Sequence, residues 1–156
     1  MTNDSKRAWV SRFFLCVCLA TTCIFASGCS QPRPTTFDPR ECLEIIPKRV
    51  EGLKVIQGPR TELSIIADMR SAVCNGQVLF NLLRAQGEPL HAGLILVRVR
   101  VEYTGEPIAV EVLETTVSSE TLADRVSDFI MDSDFIPWAR HEKDTIFDYP
   151  IHFEVY

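Results

Sequence analysis

The fold is decided by residues 93–116, GLILVRVRVEYTGEPIAVEVLETT. Apolar and polar side chains alternate through both halves of this run, the pattern of two half-buried β-strands. The Gly-Glu pair at 105–106 predicts a two-residue hairpin turn between them. That turn sets valines opposite each other on one face of the hairpin and Arg100 opposite Glu111 on the other.

Helical patterns lie on both sides of the hairpin. Residues 62–86 carry an apolar stripe at spacings of three and four, which predicts a long amphipathic helix that Gly87 and Pro89 end. Gly76, in the middle of this helix, marks either a kink or a break. A second helix begins at Ser118 or Ser119, both good N-cap residues, and ends near Asp132.

Residues 145–156 alternate again and predict a last strand. The chain therefore reads as helix, strand, strand, helix, strand. This order predicts an α+β fold with a small antiparallel three-stranded sheet and two helices. Residues 50–57 alternate loosely, so a further short strand there is an open alternative.

Length and charge limit the classes of protein that fit. The chain has 156 residues, 46% of them hydrophobic and 24% charged, which suits one globular domain. With 16 basic and 21 acidic residues the net charge is −5. An acidic balance disfavours a nucleic-acid binder that works through a basic surface, so no nucleic-acid partner is expected.

The first 28 residues have the pattern of a targeting signal. A positive start is followed by an uncharged apolar run at 13–26, which is too short to cross a bilayer as a helix. The run ends in Ala-Ser-Gly before Cys29 and resembles the lipobox of bacterial lipoproteins. An ordinary signal peptide and a retained anchor are the alternatives.

The lipobox resemblance implies cleavage before Cys29 and acylation of that cysteine, which makes the lipid bilayer a partner. Ser30, in place of Asp, implies sorting to the outer membrane, with the protein facing the periplasm of the cell envelope. We therefore divide the chain into a signal peptide (1–28), a lipidated and proline-rich tether (29–40) and a folded domain (41–156).

Cleavage changes the charge and the cysteine count. Removing three basic residues and Asp4 from 16 and 21 leaves 13 basic and 20 acidic residues, a net charge of −7. Besides Cys29, only Cys42 and Cys74 remain. In an oxidising compartment these two thiols could form a disulfide. Alternatively, Cys74 is a small buried residue and Cys42 is free.

Nothing in the sequence suggests an enzyme. The three histidines are scattered and have no Ser or Cys partner in a recognisable motif, and the cysteines lack the CxxC spacing of a metal site. The acidic residues around 132–148, among them Glu142, match no calcium loop and are more simply a solvated face. We expect no catalytic residue, metal, cofactor or small-molecule substrate.

Residues 63–156 resemble the C-terminal domain of AgmX/PglI-type proteins, a relative of the TonB C-terminal domain. The resemblance rests on the element order, a Phe/Trp motif at 135–138 and a closing Tyr-Pro-Ile-x-Phe at 149–153. It implies that the open edge of the last strand accepts an extended peptide. The matching residues here are Asp148, Tyr149, Pro150, Ile151, His152 and Phe153.

The alternative is that this edge is only structural, since Asp148, Pro150 and Glu154 are residues that discourage pairing. On balance the sequence predicts a non-enzymatic protein-binding or assembly module with an unknown envelope protein as partner. The competing hypothesis is a permanent structural or accessory subunit of a secretion or motility complex.

Overall fold

The computed structural model describes residues 37–44, 47–138 and 143–156. Its elements are α1 (Pro39–Glu44), β1 (Lys54–Gln57), α2 (Glu62–Ala85), β2 (Gly93–Val101), β3 (Pro107–Thr115), α3 (Glu120–Met131) and β4 (Thr145–Phe153). The predicted α+β class is confirmed, and α2-β2-β3-α3-β4 is the predicted order. The signal segment, Cys29, His141 and Glu142 lie outside the described residues.

The sheet has four antiparallel strands in the order β1-β4-β2-β3, so the prediction of a three-stranded sheet is wrong. The added strand is β1, which sets Lys54 opposite Asp148 and Val55 opposite Phe147. Four loosely alternating residues do not distinguish a strand from a loop by pattern. Their pairing partner, β4, lies about 90 residues further along the chain.

The number of helices also differs from the prediction, because Pro39 begins α1 inside the segment predicted to be an extended tether. Proline suits the first helical turn, where a backbone N–H has no partner within the helix. Asp38 Oδ1 accepts a hydrogen bond from Arg40 N at 2.8 Å and satisfies one of the free donors at this helix start.

The β2–β3 hairpin is present, but its register differs by two residues from the predicted one. Arg98, not Arg100, lies opposite Glu111, and Val99 lies opposite Val110. A shift of two residues keeps every side chain on its predicted face, because the side-chain period of a strand is two. The prediction of which side chains share a face is therefore confirmed, and the predicted register of the two strands is wrong.

The turn explains the shift. Glu102 N donates to Glu106 O at 2.9 Å, which closes a three-residue loop in place of the predicted two-residue turn. Gly105 has φ +96°, the left-handed conformation that such a loop needs at its last position.

Helix α2 runs unbroken through Gly76, so the helix does not break there. A Cβ atom at Gly76 would lie 3.3 Å from Val126 and 3.4 Å from Phe153. The glycine thus lets α2 approach α3 and β4 closely. Thr61 caps the start of α2 by accepting a hydrogen bond from Ser64 N at 3.2 Å.

All the core side chains of the sheet lie on one face. The inward residues of β2 and β4 are buried and pack with apolar residues of α2 and α3. The N-cap of α3 is Ser119, one of the two predicted cap residues. In the part of the chain that is described, no helix has both the length and the apolar character needed to cross a bilayer.

Candidate functional site

The last strand does not form an edge of the sheet over its first half. Residues Ile146, Phe147 and Asp148 of β4 pair with β1 on one side and with β2 on the other. The predicted peptide-binding edge begins at Asp148, whose outer side already faces Lys54. The expectation that β4 is an edge strand is wrong there, because β1 occupies the position.

The rest of β4 offers little backbone to a partner. Pro150 has no N–H, and Gly52 adjoins it so closely that an added Cβ would lie 3.4 Å from its ring. Past the end of β4, the Gln77 side-chain amide donates to Glu154 O at 2.8 Å and accepts from Glu154 N at 3.1 Å. The side chain of Gln77 therefore bonds the backbone as a neighbouring strand would.

The predicted edge residues split into two groups. Tyr149, Ile151 and Phe153 point into the core, and Pro150 is also buried, whereas His152 is exposed. Burial raises the pKa of Tyr149 to about 12, so its hydroxyl stays protonated at neutral pH. Most of this set serves packing, half-buried Asp148 pairs with Arg98, and His152 is the one residue of the six that is exposed.

The longer free edge of the sheet is β3. It is one of the two outermost strands, with nine residues against four in β1, and within the described residues it pairs only with β2. Such an edge leaves backbone N–H and C=O groups available to an additional strand. The sequence did not point to β3, because the strand carries the same alternation as its hairpin partner.

Two irregularities shape this edge. The register of β3 shifts at Ile108 and again at Leu113, each of which adds one residue relative to β2. Both side chains are 37% exposed. The shift at Leu113 sets Glu111 opposite Arg98 and Glu114 opposite Leu96, positions on one face of β2. Both glutamates therefore lie on the open face, away from the helices.

The two arginines of β2 pair with aspartates, and Arg100 does not lie opposite Glu111 as predicted. Arg98 Nε and Nη2 donate to the two carboxylate oxygens of Asp148 at 2.8 and 3.0 Å. Arg100 pairs with Asp144. The hydrogen bond to Asp148 raises the pKa of Arg98. Both pairs join β2 to the β4 side of the sheet rather than to β3. The sequence pattern did not predict them, because it did not reveal that β2 is a central strand.

A buried ion pair was not predicted. Arg60 Nη1 donates to Asp68 Oδ2 at 3.0 Å, and their side chains are 1% and 3% exposed. Within the described chain Arg60 Nε and Nη2 have no hydrogen-bond partner, although the guanidinium carbon lies 5.5 Å from the centre of the Phe135 ring. No periodic pattern marks these two residues, which are eight positions apart.

Burial dominates the electrostatics of this pair. It raises the pKa of Asp68, against the opposing effects of the Ile136 N–H and of Arg60. Burial also lowers the pKa of Arg60, against the effect of Asp68. Both pKa values are thus shifted toward the neutral forms, the direction expected when charged groups are buried. Asp68 also borders a polar cavity of about 430 Å³ near the end of α3.

The remaining candidate residues do not form a chemical centre. Cys42 and Cys74 are joined by a disulfide. Asp132 and Asp134 lie on the rim of the polar cavity. Trp138 is half-buried, and its backbone N–H donates to Tyr103 O at 2.8 Å. The described segments contain no group of three or more His, Cys, Asp or Glu side chains placed to hold a metal ion.

Comparisons with known proteins add no assignment. No family model matches the chain, and neither a curated protein nor a solved structure gives a significant match.

Proposed function

We propose that this chain is a lipid-anchored lipoprotein of the bacterial cell envelope whose α+β domain binds an extended segment of another envelope protein at β3. The observation that carries the proposal is the free edge of β3, nine residues long and outermost in the sheet. Backbone groups on such an edge template an added strand, and side-chain pockets along it give specificity. The domain acts as a binding or assembly module and not as an enzyme.

The TonB-like resemblance supports the mode of binding but not its position. It implies strand addition at the last strand, and here β1 covers the first half of β4. The two ends of the sheet are β1, with four residues, and β3, with nine. The number of backbone hydrogen bonds that an added strand can form grows with the length of the edge, so β3 offers more of them to an extended partner than β1 does.

Photo-crosslinking in living cells tests the binding edge. A photoreactive residue in place of exposed Ala109 on β3 should give a discrete protein adduct. The same residue in place of exposed Val78 on α2, which lies away from the sheet edge, is the matched control. His152 of β4 serves as a second position. An adduct at His152 but not at Ala109 would return the site to the last strand and refute the proposal.

The anchor is tested separately. Cys29→Ala removes the acylated sulfur, so the protein should move from the membrane fraction to the soluble periplasmic fraction. Three buried acyl chains would hold a lipoprotein firmly, whereas one chain alone binds only marginally. Persistence of Cys29→Ala in washed membranes would contradict the lipoprotein assignment.

A permanent subunit of a larger complex is the second candidate. It is favoured by large apolar side chains that face solvent on α2 and after α3, among them Leu63 at 61% and Ile136 at 63% exposure. Sedimentation velocity distinguishes the two: a transient binder remains monomeric in detergent when isolated, and an orphaned subunit self-associates through its uncovered apolar surface.

A further inference from the structure

We infer that the segment added to β3 is basic, with Lys or Arg at alternate positions opposite Glu111 and Glu114. This inference rests on the proposed strand addition at β3 and specifies the chemistry of the partner.

The two glutamates share one face because of the bulge between them. Residues three apart on a regular strand point to opposite faces, but the additional Leu113 places Glu111 and Glu114 opposite Arg98 and Leu96, which lie two residues apart on β2. Both glutamates are exposed. They therefore form two successive carboxylates on the open face, about 7 Å apart along the free edge.

Among the described residues neither carboxylate accepts a hydrogen bond, although Glu111 attracts the Arg98 guanidinium electrostatically. Arg98 stands opposite Glu111 but donates with two nitrogens to Asp148 on the other side. Leu96, opposite Glu114, has no charge to offer. Among the described residues, Glu111 and Glu114 form neither a hydrogen bond nor a salt bridge, so a cationic side chain on an added strand could pair with each of them.

On an added strand, the residue between the two cationic residues would point to the opposite face of the sheet. A partner residue there would point to the helix side, next to half-buried Val112. An apolar side chain suits that position, since it would extend the layer of the core. The occupant is thus an extended basic–apolar–basic segment. Exposed Leu113, between the two glutamates, and exposed Ile108, nearer the turn, add apolar surface to the contact.

Charge also argues against the other occupants. A second copy paired through β3 would bring two more glutamates to the same edge, and like charges across strands are destabilising. The processed chain has a net charge of −7 by the count above, which opposes both self-association and contact with anionic lipid headgroups. A basic partner is attracted by the same field.

Synthetic peptides test the inference on the full-length protein in detergent. The probes are fluorescent peptides of about nine residues, to match the nine residues of β3, with valine alternating with lysine, serine or glutamate. A fourth probe is the lysine peptide with N-methylated backbone amides, which cannot pair as a strand. Binding is measured by fluorescence anisotropy at low and at physiological salt.

The lysine peptide should bind best, and its affinity should fall with salt and on N-methylation. The double variant Glu111→Gln/Glu114→Gln should weaken its binding roughly tenfold, the loss expected for two cross-strand charge pairs. The control Glu44→Gln/Glu51→Gln removes the same charge from exposed sites outside β3 and should leave binding unchanged.

The outcomes separate the inference from the proposed function. Equal binding of the serine and lysine peptides, or no effect of Glu111→Gln/Glu114→Gln, overturns the basic partner and leaves strand addition intact. Binding of the lysine peptide that survives N-methylation overturns strand addition itself. Failure of every peptide to bind overturns both.

Discussion

Removing the Cys42–Cys74 disulfide should destabilise the domain by a predictable amount. The two cysteines are separated by 32 residues, and closing a loop of that length lowers the entropy of the unfolded chain by the equivalent of about 3.5–4 kcal/mol. For a domain of this size, that loss corresponds to a fall in Tm of roughly 10–20 °C. The variant Cys42→Ser/Cys74→Ser and the reduced natural chain should behave alike.

The effect has a local component at α1. This helix has no buried residue, and besides the disulfide it is joined to α2 by a hydrogen bond from Arg70 Nε to Cys42 O at 3.2 Å. An isolated six-residue helix is not stable in water. After reduction the Cys42 amide, which donates to Asp38 O at 3.1 Å, should therefore exchange with solvent rapidly, while the α2 amides stay protected.

Urea denaturation followed by far-UV circular dichroism gives the global stability, and hydrogen exchange gives the local one. Reducing agent added to Cys42→Ser/Cys74→Ser serves as the control and should change nothing. An unchanged urea midpoint after reduction of the natural chain would refute the reasoning, because it would mean that the cross-link does not restrict the unfolded state.

Three further perturbations test the core and the turn. Asp68→Ala should destabilise the fold by about 3–5 kcal/mol, because it leaves buried Arg60 without its counter-charge. Arg60→Met/Asp68→Leu should be neutral or stabilising in urea titrations. An equal loss of stability in the two variants would contradict this view of the pair. Burial raises the pKa of Tyr149 to about 12 in the fold, against about 10 when the chain is unfolded, so the free energy of unfolding should fall by up to about 3 kcal/mol between those pH values. Tyr149→Phe should remove that slope in pH-dependent denaturation. Gly105→Ala should lower Tm more than Gly87→Ala, since both glycines have φ near +97° but only at Gly105 would a Cβ collide with backbone; similar Tm values would exclude the collision.

Local patterns allowed part of this fold to be predicted. The faces of the hairpin, the stripe of α2 and the Ser119 cap each depend on residues close together in sequence, and each is confirmed. The cysteine count directed attention to Cys42 and Cys74, which the structure bonds to each other. In these cases the deciding interactions lie within one element or follow from a small number of candidates.

Long-range pairings were not accessible in the same way. β1 is a strand because β4 lies beside it, and that pairing displaced the predicted edge at Asp148. The hairpin register depends on a three-residue loop with Gly105 in a left-handed conformation, which the Gly-Glu dipeptide did not distinguish from a two-residue turn. Burial of Arg60 and Asp68 arises only when loop and helix pack, and charge alone does not reveal it.

The disulfide also determines how mechanical load would enter the domain. β1 is a four-residue outermost strand near the amino end, and a pull from that end would peel it from β4 first if the backbone were the only route. The bond from Cys42 to Cys74 diverts tension into the middle of α2, whose buried side chains belong to the core. β1 is thereby shielded from a load applied at the amino end, which would act first on the buried helix α2.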